Sequence, residues 1–219
     1  MTLIGALQIL ILFALVVAVT VPLGSYMAKV FQGERLFLTP LMRPVERGVY
    51  ALAGVSEERE MGWQVYLVAM LFFSVAGMLV TYFLLRNQNH LPLNPDHQSG
   101  VPGYLAWNTA VSFTTNTNWQ NYAGETTMSH LSQMLALATH NFMSAATGMA
   151  IAIAFVRGLV RRSARELGNF WVDMTRSVLY VLLPISIIGA LVYAAQGVPQ
   201  TLSGIATVKT LEGAAQTIS

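Results

Sequence analysis

Residues 104–126, YLAWNTAVSFTTNTNWQNYAGET, hold the pattern from which the rest of the chain can be understood. The first part, YLAWNTAVSFTT at 104–115, is free of charge and moderately apolar, but it falls well short of the roughly 20 residues a spanning helix needs. It suits a re-entrant helix that enters a membrane partway. The second part, TTNTNWQNYAGET at 114–126, is a run of short polar side chains that compete for backbone hydrogen bonds and disfavour a helix interior. It is expected to form an ordered extended loop.

The flanks supply the membrane. The chain has 219 residues, of which 54% are hydrophobic and 10% charged, where a soluble domain carries about 25% charged residues. Met1–Ala28 and Met61–Leu85 contain no Asp, Glu, Lys or Arg, and each is long enough to span. No Lys or Arg precedes the first apolar block, which is also longer than a signal-peptide core of about 7–15 residues, so it is read as a retained helix. Cysteine is absent, which excludes disulfides and thiolate chemistry. Scattered basic residues with a net charge of +2 give no nucleic-acid footprint.

The expected fold class is all-α integral membrane: an N-terminal helix, one complete unit of span, re-entrant pore helix and span, and the first helix of a second unit. Residues 1–62 comprise the N-terminal span, from about Leu3 to a stop at Pro22-Leu23-Gly24, and a polar connection broken by Pro40, Pro44 and Gly54 into short surface pieces. Residues 63–156 comprise the pore unit, with a span at 63–85, the pore helix at 104–115, the filter loop at 114–120 and a span at 128–156. Residues 157–219 comprise a basic loop, a fourth span at 170–195 kinked by Pro184, and a tail with no clear ending element. Lys29, Arg35, Arg43, Arg47 and Arg59 mark the first connection as cytoplasmic, and Arg157, Arg161, Arg162 and Arg165 mark the second, against Arg86 and Lys209 on the other side. Both termini are therefore expected outside.

In lipid, non-helical backbone at membrane depth is tolerated only when buried in protein or lining a watery cavity. Successive Thr and Asn residues can turn backbone carbonyls toward a dehydrated potassium ion without any formal charge. The C-terminal end of the pore helix carries roughly half a negative charge, which favours a cation. One such loop makes about a quarter of a ring of the kind built from four TVGYG loops. Composition alone is equally compatible with a solvent-exposed turn.

Asn108–Thr126, NTAVSFTTNTNWQNYAGET, resembles the first selectivity-filter region of the potassium-binding A subunit of bacterial Kdp potassium-transporting ATPases, which are related to the Trk and Ktr transporters. REMGWQVYL at Arg59–Leu67, HLPLNP at His90–Pro95, LGNFWVDMTR at Leu167–Arg176 and TLEGAAQ at Thr210–Gln216 resemble that family in the same order. The resemblance implies an N-terminal fragment of a subunit with four span-pore-span units around a pseudo-fourfold pore. It implies filter residues at Thr115, Asn116, Thr117 and Asn118, acting through backbone oxygens, with Gln120 as a nearby polar influence on potassium affinity. Thr114, Gly124 and Glu125 would support them, Gly124 by allowing the return turn. The implied function is potassium selection and translocation in an ATP-driven uptake complex of the bacterial inner membrane. K+ would be the transported ion, with no organic cofactor. The implied partners are an ATP-hydrolysing subunit, small accessory membrane subunits and lipid. The rivals are a passive or ion-coupled potassium transporter and a non-conducting assembly fragment.

Other residues carry less. No phosphate-binding loop or nucleophile-base pair is present, so the chain is expected to be a non-catalytic subunit. His130 and His140 are about 80° off a common helix face, which disfavours a shared metal site, and His140 is expected to hydrogen-bond between helices. Glu125 could draw cations to the mouth or simply be solvated. Asp173 and Arg176, three residues apart, are expected to pair. The arginines from Arg157 to Arg165 are expected to act as a topology signal, with anionic lipid as a further contact.

Overall fold

The computed structural model describes residues 2–161 and 165–218; Arg162 of the second basic loop lies outside the described residues. α1 spans Leu3–Gln32, capped at its start by Thr2, whose hydroxyl accepts from the Gly5 N–H. The expected stop at Pro22 does not occur. Proline removes one N–H, but a chain in lipid must keep every other backbone bond, so the helix runs on to Gly33, where φ is +74°. There the Gly33 N–H closes on the Lys29 and Val30 carbonyls.

The connection is not a set of short pieces. It forms one 15-residue helix, α2 (Thr39–Ala53). Pro40 falls in its first turn, where the missing N–H is not needed, and Pro44 deletes one bond without ending it. Glu46 and Tyr50 face the protein, while Leu41, Val45, Val49 and Leu52 form an exposed apolar stripe.

α3 spans Trp63–Arg86 and leads through a 3-10 turn at Gln88–His90 to α4 (Gly103–Thr114), a helix of 12 residues. After the polar loop, α5 (Gly124–Thr127) makes one turn. A continuous helix over Ser132–Val160 follows. Its first stretch, Ser132–Ala138, is wound in the wider π form, and α6 (Thr139–Val160) completes it.

Asn169 caps the fourth long helix by accepting from the Trp171 and Val172 N–H groups. That helix comprises α7 (Phe170–Arg176), a π-wound stretch at Ser177–Leu182 and α8 (Leu183–Ala195). The four long helices have 30, 24, 29 and 26 residues. At about 1.5 Å per residue each exceeds a hydrocarbon core of about 30 Å. The tail does have an ordered ending: β1 (Ala206–Lys209) pairs antiparallel with β2 (Ala215–Ile218).

Pro184 offers no N–H to the preceding π-wound turn, which includes the carbonyl of Tyr180. The hydroxyl of Tyr26, from α1, donates to that carbonyl at 2.7 Å. Tyr26→Phe is therefore expected to destabilise the protein by about 1–3 kcal/mol, the range for a buried acceptor left unpaired. A lower unfolding midpoint of the detergent-purified protein, with unchanged helix content, would register it.

Two packed cores position the rest. Around α4, Leu85, Val101, Ala106, Phe113, Met128, Ala136 and Leu137 form the first of them and cover one side of that helix. Toward the basic loops, Ala146, Ala150 and Ala154 lie on one stripe of α6 and pack with Tyr66 and Phe170. Small residues there allow close helix approach. The Tyr66 hydroxyl uses it, donating to the Ala150 carbonyl at 2.8 Å.

Candidate functional site: the polar loop and its supports

The loop begins where α4 runs out of N–H donors. The Asn116 N–H donates to the Phe113 carbonyl at 3.3 Å, and the Thr117 and Asn118 N–H groups donate to the Ser112 carbonyl at 2.9 and 3.2 Å. The Trp119 N–H donates to the Ser112 hydroxyl at 2.5 Å. The negative end of the helix thus collects the loop's N–H groups. In a trans peptide the carbonyl points opposite to the N–H of the same plane. Four consecutive carbonyls, those of Thr115, Asn116, Thr117 and Asn118, are therefore turned away from α4. Among the described residues, no donor takes them.

Residue type matches this path. Asn116 and Asn118 have φ of +57° and +54°, with threonines at 115 and 117 outside that region. Asparagine tolerates left-handed backbone far better than a β-branched residue. The alternation Thr-Asn-Thr-Asn thus matches an alternation of backbone hand that sets N–H groups on one side.

Side chains brace the loop from behind. Asn116 Oδ1 accepts from the Ser144 hydroxyl on α6 at 3.2 Å. Thr114 points back: its hydroxyl donates to the Ala110 carbonyl at 2.7 Å and lies 3.0 Å from His140 Nε2. Since its own proton is committed, it accepts from Nε2–H, and His140 Nδ1 lies 3.0 Å from the Thr81 hydroxyl. His140 therefore bridges α3, α4 and α6. Gly77 makes room, since a Cβ there would lie 2.9 Å from the ring. His130 is elsewhere, at 3.0 Å from the Ser203 carbonyl.

The loop's ends are tied by Gln88, which is fully buried. Its amide donates to the Ser99 and Thr127 carbonyls at 2.6 and 2.7 Å and accepts from the Ser129 N–H at 3.0 Å and the Ser132 hydroxyl at 2.8 Å. One side chain thus joins the entry to α4 with the return after the loop. Thr115, Asn116, Thr117, Asn118 and Gln120 lie exposed in one continuous stretch. Gly124 opens α5 against Gln133, without left-handed backbone, and Glu125 beside it is exposed. Ser112, Thr81, Ser144 and Gln88 were not anticipated. The Thr-Asn alternation could have pointed to the backbone path, but nothing local marks Gln88.

At the opposite end the expected Asp173–Arg176 pair is not formed. Asp173 is clamped by Arg157, at 2.6 and 2.9 Å, and Arg176 bonds Glu46 at 3.0 Å. Residues three apart on a helix can meet, but these two are drawn to opposite partners on other elements. Glu46 also accepts from Arg43 at 3.0 Å, Tyr50 at 2.8 Å and Tyr180 at 2.9 Å. Burial alone would push its carboxyl up, but the bonds from Arg176, Tyr50, Tyr180 and Arg43 outweigh it and hold the group below its ordinary range. Burial, with Glu46 alongside, pushes the Tyr50 hydroxyl up. Arg161 pairs with the exposed Glu60 and holds that carboxyl below the usual range. The basic loop is thus a structural joint as well as a charge signal.

Long apolar helices packed against a short helix, with a polar loop at its C-terminal end, define a helical membrane protein. The chain belongs to the family described as "Potassium-transporting ATPase A subunit", which matches residues 10–219. It is similar to the potassium-transporting ATPase potassium-binding subunit of Bradyrhizobium diazoefficiens, 56% identical over 219 residues, covering 100% of this chain and 39% of that protein. The protein of the same name from Methylorubrum extorquens is 55% identical over 219 residues, again 100% of this chain and 38% of its own length. That of Solibacter usitatus is 56% identical over 218 residues, 100% of this chain and 38% of its own. The chain spans about two fifths of the length of these curated relatives.

Proposed function

We propose that this chain contributes one loop of a potassium-selective filter, in the potassium-binding subunit of an ATP-driven uptake complex. The observation that carries this is the set of four neighbouring carbonyls, Thr115 to Asn118, turned to one side with no donor among the described residues. Carbonyl oxygens of this kind replace the hydration shell of K+, and an anion would meet the same oxygens unfavourably. The other loops of the ring are not among these 219 residues.

Gln120 lies at the end of this stretch and influences potassium affinity. Thr114 acts through His140, Gly124 allows the return into α5, and Glu125 draws cations toward the mouth. The pore unit is residues 63–156, following an N-terminal span and α2 and preceding the first helix of a second unit. The loop end faces the outside, because Lys and Arg gather at the other end. The N-terminus is then extracytoplasmic and the membrane is the bacterial inner membrane. ATP is hydrolysed on a partner subunit, with small accessory membrane subunits completing the complex, and this chain is non-catalytic.

Gln120→Arg tests the reading. Cells lacking other uptake systems and carrying the complete operon are assayed for potassium uptake at micromolar external potassium, with the subunit quantified in the membrane. A fixed cation beside the filter opposes K+ entry, and the potassium requirement is expected to rise about tenfold or more with assembly unchanged. An unchanged requirement makes the loop a surface turn.

A further inference from the structure

The four carbonyls are not held alike. Those of Thr115, Asn116 and Thr117 are fixed because the N–H of the following residue bonds a backbone carbonyl of α4, at Phe113 or Ser112. No side-chain substitution removes those acceptors. The Asn118 carbonyl is different. It shares its peptide plane with the Trp119 N–H, which is held at 2.5 Å by the Ser112 hydroxyl.

We propose that Ser112 is a positioning residue for ion selectivity, its hydroxyl pinning the Asn118–Trp119 peptide so that the Asn118 carbonyl joins the other three. This rests on the filter reading given above. Ser112 is suited to the task by position and size. It is buried on the last turns of α4, and its Oγ, one bond from Cβ, is an acceptor at the level of the loop. Its carbonyl already collects the Thr117 and Asn118 N–H groups and, at 3.2 Å, the Thr115 hydroxyl. The whole loop therefore folds about this one residue.

Without the hydroxyl, the Trp119 N–H loses its acceptor and the peptide is free to rotate. Rotation of one peptide plane reverses its N–H and C=O together. One ligand would leave the ring while α4, Thr114, His140 and the other three carbonyls stay as they are. The expected signature is a change in affinity and selectivity at constant assembly, which a merely structural serine would not give.

The test measures K+-stimulated ATPase activity of the complete complex, made with the full-length subunit, as a function of K+ and of Rb+. For Ser112→Ala the KM for K+ is expected to rise about tenfold, the scale of one unpaired N–H, and discrimination against Rb+ to narrow. Ser112→Thr, which keeps the hydroxyl, is expected to restore both. Ser112→Cys, a weak acceptor, carries the test if the alanine variant fails to assemble, and its KM is expected to lie between the two. An unchanged KM and Rb+/K+ ratio in the alanine or cysteine variant overturns the inference, as does a loss confined to the amount of complex. If Gln120→Arg raises the potassium requirement while Ser112→Ala does not, the inference fails alone. If neither substitution matters, the filter reading fails with it.

Discussion

Arg157→Ala is expected to destabilise the protein by about 3–5 kcal/mol, the range for removing one partner of a buried ion pair. Asp173 has 1% of its side chain exposed and Arg157 16%, so water cannot replace the lost partner. The guanidinium binds both carboxylate oxygens and also donates to the Leu167 and Phe31 carbonyls at 3.1 and 3.3 Å. It therefore joins α6, α7, the basic loop and the end of α1. Gly168 is part of the same arrangement: its φ is +100°, and a Cβ there would run into Arg157. The unfolding midpoint of the full-length subunit in its purified complex measures the effect. Arg157→Met combined with Asp173→Leu is expected to recover most of the loss, because it leaves no isolated buried charge. Arg161→Ala is the contrast. Its pair with Glu60 is 35% and 40% exposed, and its removal is expected to cost less than about 1 kcal/mol.

Glu46→Ala is expected to have an effect of similar size, about 3–5 kcal/mol, for the mirror-image reason. It removes the buried one of the two carboxylates that Arg176 and Arg43 share and strips the Tyr50 and Tyr180 hydroxyls of their acceptor. Glu57 still faces both arginines, at 2.7 and 3.2 Å, but with 32% of its side chain exposed it cannot take over the buried position. The pH dependence has a definite sign. A carboxyl held below its ordinary range in the folded state contributes stability that is full above the unfolded value, about 4.3 for glutamate, and is lost as pH falls through the folded value. The Glu46 contribution is therefore expected to be flat from about pH 8 to 5 and to fall away below about 4.3, and the alanine variant is expected to lack that acid-sensitive component. Unfolding midpoints of both proteins across this range would show it. A parallel acid profile in the two proteins would contradict it.

Much of this molecule was legible in its sequence. Blocks such as Met61–Leu85 declare a span because transfer free energy adds up over contiguous residues and bilayer thickness fixes the length required. Residues 104–115 declare a helix too short to span because they fall short of that length, and the helix observed is Gly103–Thr114. The polar run after it declares a loop because its side chains compete with helical bonding. Its family motifs are also local strings. These properties need no knowledge of what lies across the bundle.

Tertiary structure alone decided the rest. The arguments from Pro22 and from the Asp173–Arg176 spacing failed because each used neighbours in sequence. The helix continues past Pro22 until Gly33, and Arg176 takes Glu46, 130 residues away, in preference to Asp173. The Trp119 N–H, which shares a peptide plane with the Asn118 carbonyl, meets a hydroxyl seven residues back, brought near only when the loop folds over the end of α4. Hydropathy is a sum along the chain and can be read locally. Which donor meets which acceptor is a property of groups brought together by folding, and there the identity of the partner, not the composition of the segment, determines both stability and the direction in which each backbone group points.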